Sequence, residues 1–474
     1  MAGRRLVARV SLDSLAPTFS AIRARHGVEE TYPEQAVSEA RAAGTASGEL
    51  AHVIGEREDR TDLDLVTIDP EGSRDLDQAL AIEAHAAGWT VHYAIADVAA
   101  HVAPGGALDR ETWKRGETIY CPDKRIGLHP PVMSEGFASL LPGQRTKAAL
   151  WTIEVGADGA LGDARVSRAW VRSLRQHSYN ELRASPPESA KALVAAMRGL
   201  GDARRAHVRA AGGVTLPKPS QEVDSVDGEL TLEFRAATGI EDDNAQVSLL
   251  TGEAAARIML EAHVGVLRTM PQAQTEDVKR LRRQALALGI AWPEGMSYGD
   301  VLLTLDPESP SAAAFLTQAT RLFRGAAWEP FDNPTLPTPA STTHGALARP
   351  YAHVTAPLRR LVDRYGTEVC LAHCAGVPVP QWVHAALPTL GAAMAAGVRT
   401  ASAVDRECVD AVEAAVLKPH VGETFTAVGL DDHSIQLAKP AVVAACTGAI
   451  AVGERQKVRL VTADAGRAQF ATLA

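Results

Sequence analysis

The stretch Thr67-Ile-Asp-Pro-Glu-Gly-Ser-Arg-Asp-Leu-Asp-Gln-Ala-Leu80 places Asp69, Asp75 and Asp77 within a few residues of one another, framed by apolar runs. Val66 to Ile68 reads as the end of a strand, and Ala79 to Ile82 as the start of the next element. Pro70, Gly72 and Ser73 make the connection a turn. Asp75 and Asp77 are separated by one residue, so at a strand edge both face one side. A turn that returns Asp69 toward them gives three carboxylates facing one point. Carboxylates at close range raise each other's pKa, and a cation relieves that repulsion. Hard oxygen donors on a short loop suit Mg²⁺, or Mn²⁺, rather than zinc. Such ions clamp phosphodiesters and activate water. The competing reading is a solvated acidic turn, and spacing alone favours it.

Beyond spacing, the stretch resembles the signature of the RNB (ribonuclease II/R) family, a strand ending Ile-Asp followed by an acidic loop ending Asp-aliphatic-Asp-Asp-Ala. The four clustered acids of that signature fall on positions 69, 75, 77 and 78, and the fourth is Gln78 here. The likeness continues in order through Ile95-Ala-Asp97-Val98, Pro104-Gly-Gly-Ala-Leu-Asp109, Thr118-Ile-Tyr-Cys-Pro-Asp123 and Leu128 to Gly136. A second stretch, Thr342 to Arg364, is similar to the family's Tyr-x-His-Phe-Thr-Ser-Pro-Ile-Arg-Arg-Tyr-x-Asp segment, with Leu361 where tyrosine is usual.

The resemblance implies a 3′-to-5′ exoribonuclease that hydrolyses single-stranded RNA to nucleoside 5′-monophosphates with Mg²⁺-bound water. Asp69, Asp75 and Asp77 would hold the metal, with Gln78 a doubtful fourth position that lacks charge. Tyr120 would stack on the 3′-terminal base. Arg359, near a helix N-terminus that already favours phosphate, would hold the scissile phosphate and stabilise transition-state charge. His353, Thr355 and Arg360 join Tyr120 and Arg359 as expected nucleic-acid contacts. For Arg359 the bland alternative is an ion pair with Asp363, a role given first to Arg364 or Arg360. A different class of reading is an inactive RNA-binding regulator of the same fold, which Gln78 favours. A metal-dependent phosphatase acting on small molecules is weaker, since it leaves the basic 350s segment unexplained.

The whole chain supports a multidomain α+β protein of 474 residues, long enough for several domains. Residues 1–60 read as a helical module of the helix-turn-helix or winged-helix kind, with candidate helices Leu15 to His26 and Glu34 to Ala43. Arginines 4, 5, 9, 23 and 25 lie there, as phosphate contacts or, more simply, a solvated face. Residues 61–417 form the expected mixed α/β RNB catalytic domain. Within it, 180–212, 254–270 and 278–288 read as helices, and 378–417 as a packed pair of alanine-rich helices. Residues 418–474 change period. Strands at 423–428, 434–437, 441–445 and 458–462 resemble a small OB-fold RNA-binding barrel with only Phe425 and Phe470 as aromatics.

A net charge of −9 argues against a uniformly basic nucleic-acid-coating protein, but not against a basic channel inside an acidic exterior. No apolar run approaches membrane-spanning length. Five scattered cysteines, an odd number, suggest reduced thiols in a cytoplasm. Cys370, His373 and Cys374 lack the further ligand a zinc site needs. The expectation is a cytoplasmic monomer with no membrane partner and no organic cofactor.

Overall fold

The structure is a computed structural model, and it describes residues 9–46, 48–237, 239–306, 309–332, 337–464 and 466–473. Arg4 and Arg5 lie outside the described residues.

Strands Leu65–Asp69, Gln78–His85, Gly88–Ala96 and Arg145–Gly156 form the body of one sheet, joined by the 18-residue strand Leu161–Ser178. That long strand runs antiparallel to Arg145–Gly156 over its first part (Arg145 opposite Arg172). Its last residues run parallel to Leu65–Asp69 (Asp69 opposite Ser178). The sheet therefore curls back on itself. Its interior is filled by small and branched residues, among them Ala79, Ala94, Ala148, Ala169, Leu65 and Leu150. The opposite side of Gly88–Ala96 sends Val91, Tyr93 and Ile95 into the largest core, against the helices Glu188–Ala210 and Gly239–Ala262. A strand buried on both faces reads as a nearly continuous apolar run, as Trp89 to Ala96 does.

Four elements depart from the expectations. The helix expected over 254–270 is Gly239–Ala262, and it ends at His263, whose φ of 59° breaks the helical path. Val264–Thr269 is a strand paired with Ala327–Asp332. Gly265 matters there, because a Cβ on it would come within 2.6 Å of the Met259 side chain. The hairpin of Ser220–Val226 and Glu229–Arg235, extended by Val10–Ser11, escaped the sequence reading, although Leu230, Leu232 and Phe234 alternate with polar residues along its second strand. Residues 381–417 are one continuous 37-residue helix with Pro388 inside it, rather than a pair.

The barrel is closed and has five strands, with Arg467–Thr472 completing the four foreseen. Phe425 and Phe470 sit inside it, 5.8 Å apart edge to face, so neither offers a base-stacking surface. Phe19 and Ile22 of the helix Leu12–Arg25 share one apolar cluster with the barrel and with Val404, Cys408 and Val412 of the long helix. The helix Glu34–Thr45 instead packs Ala36 and Ala40 with Leu108 and Leu358.

Candidate active site

The acidic loop is pinned by its middle residue. Leu76 is fully buried within the curled sheet, beside Leu65 and Leu140. Its N–H donates to Ser139 Oγ at 2.9 Å, its carbonyl accepts from Leu140 N–H at 3.0 Å, and Ser139 Oγ donates to the Arg74 carbonyl at 2.6 Å. Burying such a leucine is worth about 1.5–3 kcal/mol, and its insertion fixes the flanking Asp75 and Asp77.

Asp77 is 3 % exposed. Its Oδ1 accepts the Leu358 N–H at 2.7 Å, and its Oδ2 lies 3.5 Å from Arg359 Nε. Burial outweighs these partners and pushes its carboxyl up to about 8. Asp69, at the end of its strand, is pushed up to about 7 by burial and then by the Asp75 charge. Its Oδ2 is buried with no hydrogen-bond partner. Asp75 pairs with Arg125, which also holds Glu135. Gln78 opens the next strand and donates through Nε2 to the Thr355 carbonyl at 2.5 Å.

On the facing segment, Arg359 is the available cation, its side chain 44 % exposed. Arg360 is not available. Its guanidinium grips Asp363 at 2.9 and 2.7 Å, and Asp363 Oδ1 also accepts the Ala356 N–H. Thr355 is buried, its carbonyl taken by Gln78. His353 is held neutral by burial and the nearby arginines, with its ring edge-on to Tyr351 and Trp328. These three expected nucleic-acid contacts therefore face the protein. Arg364 is buried on Asp109 at 2.6 Å. The helix that starts at Leu361 is anchored to the sheet through Glu368, Arg168 and Asp97, a chain of ion pairs of 2.6 Å each.

Tyr120 is 51 % exposed, and the charges of Arg359, Asp75, Asp77 and Arg125 all act on its hydroxyl. It pairs across a short hairpin with Arg125. Arg125 escaped the sequence reading, although its place opposite Tyr120 across a turn was the available signal. Arg268 and Glu117 were also missed; both interact electrostatically with Arg360, and Arg268 stacks on Trp328 at 3.9 Å.

Among the described residues no set of three His, Cys, Asp or Glu side chains converges as a ready cation site. Asp75 is committed to Arg125, which breaks up the expected trio. The remaining donors still fit a hard divalent cation. Asp69 presents an unpartnered buried oxygen, and Asp69 and Asp77 both carry carboxyls that are costly to ionise alone.

Comparisons with known proteins agree with this geometry. Residues 57–369 match the family model for the RNB domain, and residues 423–471 match that for the RNase II-type exonuclease C-terminal S1 domain. Ribonuclease R of Chlamydia muridarum is 26 % identical over 363 residues, covering 73 % of this chain and 50 % of that protein. Ribonuclease R of Escherichia coli is 28 % identical over 328 residues, 65 % of this chain and 39 % of that protein. The chain thus spans half or less of the length of these relatives. In structure, the apo form of Mycoplasma genitalium RNase R superposes with a TM-score of 0.82 at 18 % identity, over 96 % of this chain and 78 % of that one. Yeast Ssd1, described as a pseudonuclease, superposes at 0.67 with 14 % identity, over 89 % of this chain and 53 % of that one. At these identities the likeness establishes the fold.

Proposed function

The chain belongs to the RNB family, and on that premise we propose that it is a 3′-to-5′ exoribonuclease acting on single-stranded RNA. The observation that carries the reading is the contact of Asp77 with Leu358 and Arg359, which joins the acidic loop to a segment 281 residues away beside an exposed tyrosine. Exoribonucleases of this family depend in general on a metal ion. Mg²⁺ held by Asp69 and Asp77 would supply positive charge at the phosphodiester and bring a water's pKa near neutrality.

The chain's own residues do the rest. Tyr120 stacks on the terminal base, a sequence-tolerant contact. Arg359 reaches past Asp77 with a planar fork suited to phosphate oxygens and stabilises charge as it builds there. Water adds to the terminal phosphorus. The bond to the 3′-oxygen of the preceding nucleotide breaks, leaving a 3′-hydroxyl on the chain and a 5′-phosphate on the released nucleoside. Gln78 ties the acidic loop to the backbone of the arginine segment, and so holds the two halves in register.

The substrate and the five free thiols fit a cytoplasmic location. Among the described residues no helix is long and apolar enough to cross a membrane.

A second reading, an RNA-binding regulator without catalysis, is favoured by Gln78, which adds no charge to the site, and by the commitment of Asp75 to Arg125. Chromatography of the soluble products of a defined RNA separates the two. Metal-dependent accumulation of nucleoside 5′-monophosphates supports the exonuclease; RNA retained intact but bound supports the regulator.

A further inference from the structure

The hairpin that carries Tyr120 is too short to hold itself. Its strands, Ile119–Tyr120 and Arg125–Ile126, share two residue pairs, Ile119 with Ile126 and Tyr120 with Arg125. Even a longer two-stranded hairpin is marginal in water on its own. At its base the Thr118 N–H donates to the Arg359 carbonyl at 3.0 Å, which ties it to the arginine segment. Its turn is closed by the Cys121 N–H on the Lys124 carbonyl at 2.9 Å. Further ties come from the N-terminal module.

Arg23 lies in the last turn of the helix Leu12–Arg25 and is 1 % exposed, so it is neither a solvated arginine nor a free phosphate contact. Gly27, at a φ of 67°, stops that helix, and the Val28 N–H donates back to the Arg23 carbonyl at 2.9 Å. The chain then returns past the guanidinium. Arg23 Nε donates to Glu30 Oε1 at 2.6 Å, while Nη1 and Nη2 donate to the two oxygens of Asp123 at 2.7 and 2.9 Å. A two-pronged pair of this kind fixes orientation as well as distance. The other oxygen of Glu30 accepts from Lys124 Nζ at 2.7 Å. Beyond the second strand, the Tyr32 hydroxyl lies 2.6 Å from the Gly127 carbonyl and 2.7 Å from that of His129. Before the first strand, the Arg115 guanidinium donates to the Thr31 carbonyl at 2.8 Å and stacks on the Tyr32 ring at 4.0 Å. Ile119 and Ile126 belong to the same apolar cluster as Phe19 and Ile22.

Tyr120 is therefore an exposed ring on a backbone braced from several sides. We infer that the N-terminal module is a clamp that presets the Tyr120 hairpin for the terminal base, with Arg23 as a positioning residue that acts through Asp123. The inference rests on the reading of Tyr120 as the base-stacking residue. A ring whose backbone is already fixed gives up little freedom when a base arrives. A ring on a loose turn gives that freedom up on binding, and holds RNA more weakly. Arg23 and Asp123 spend their charges on each other and on Glu30, so their effect on RNA passes through the hairpin. The module thereby serves substrate binding without a base or phosphate contact from either residue.

The test is a double-mutant cycle on the full chain. Binding of a fluorescein-labelled oligoadenylate is read by anisotropy in EDTA, which keeps the RNA intact. Tyr120→Ala should weaken binding roughly 5- to 150-fold, the loss of one stacked base. Asp123→Asn keeps the shape but removes the charge that Arg23 grips. It should weaken binding several-fold in the wild-type background and cause no further loss in Tyr120→Ala. Without RNA, its amides over residues 118–126 should exchange faster than in wild type. Glu30→Gln, at a residue whose side chain is 32 % exposed, repeats the cycle if Asp123→Asn folds poorly. An equal loss in both backgrounds overturns the inference, because Asp123 then acts by a route other than Tyr120. Wild-type affinity in Asp123→Asn, with Tyr120→Ala weakened, overturns the clamp and leaves the stacking tyrosine. Unchanged affinity in Tyr120→Ala overturns the stacking reading itself, and the clamp with it.

Discussion

Asp77 Oδ2 stands 3.5 Å from Nε of Arg359, and the backbone N–H of Leu358 donates to the other oxygen of the same carboxylate at 2.7 Å. One buried acid thus contacts both the backbone of the arginine segment and its exposed guanidinium. Arg359→Ala should leave the fold intact, because the side chain is 44 % exposed. Losing a preorganised donor to developing charge costs roughly 10²–10³ in turnover. Single-turnover cleavage should fall by that factor while RNA affinity changes far less. An equal loss in both would mean that Arg359 only binds.

Tyr120 offers its ring to solvent beside the site. Tyr120→Ala should weaken binding of short single-stranded RNA by about 1–3 kcal/mol, with Tyr120→Phe close to wild type. Fluorescence anisotropy with a labelled oligonucleotide reads this directly. An unchanged affinity in the alanine variant would remove Tyr120 from the binding surface.

Gln78 donates to the Thr355 carbonyl. An ionised carboxylate has no proton to donate, so Gln78→Asp leaves that half-buried carbonyl facing an anion. The expected cost in metal-free protein is about 1–3 kcal/mol, measured by urea denaturation in EDTA. Added Mg²⁺ should recover part of it. A variant as stable as wild type in EDTA would show that the amide contact contributes nothing.

Asp69 and Asp77 have carboxyls raised to about 7 and about 8 from an ordinary 3.8. The folded state then binds protons more tightly than the unfolded state, so these groups make stability fall as pH rises from about 4 to about 8. Metal-free protein should lose melting temperature across pH 6 to 8, and Asp77→Asn should flatten that slope. A divalent cation should stabilise most at the upper end, where both acids are ionised. A wild-type stability that rises across this window would contradict the burial account.

Much of this arrangement could be read in the chain, and the failures have physical causes. The acidic turn was legible because Pro70 and Gly72 punctuate two apolar runs. Asp69, Asp75 and Asp77 were legible as a group, but their partners were not. Arg125 reaches Asp75 from a separate hairpin, and nothing within the acidic stretch itself points to that ion pair. His353, Thr355 and Arg360 share a segment with Arg359, yet Asp363 holds Arg360, Gln78 binds the Thr355 carbonyl and His353 packs against Tyr351 and Trp328, while the Arg359 side chain stays exposed. The apolar run Val264 to Leu267 carries no period that separates helix from strand; the turn at His263 and the contact of Gly265 with Met259 decide it. The fusion of the first helix with the barrel core depends on Phe19 and Ile22 meeting residues almost four hundred positions away, which no local pattern reports.

The central claim is that Asp77 and Arg359 belong to a working nuclease site. The most direct test follows 5′-labelled single-stranded RNA on a denaturing gel, with wild type and Asp77→Asn, each in Mg²⁺ and in EDTA. The account predicts progressive shortening from the 3′ end only with wild type in Mg²⁺, and full-length RNA in the other lanes. Full-length RNA in every lane, with binding retained, would contradict it and leave a regulator that holds RNA without cutting it.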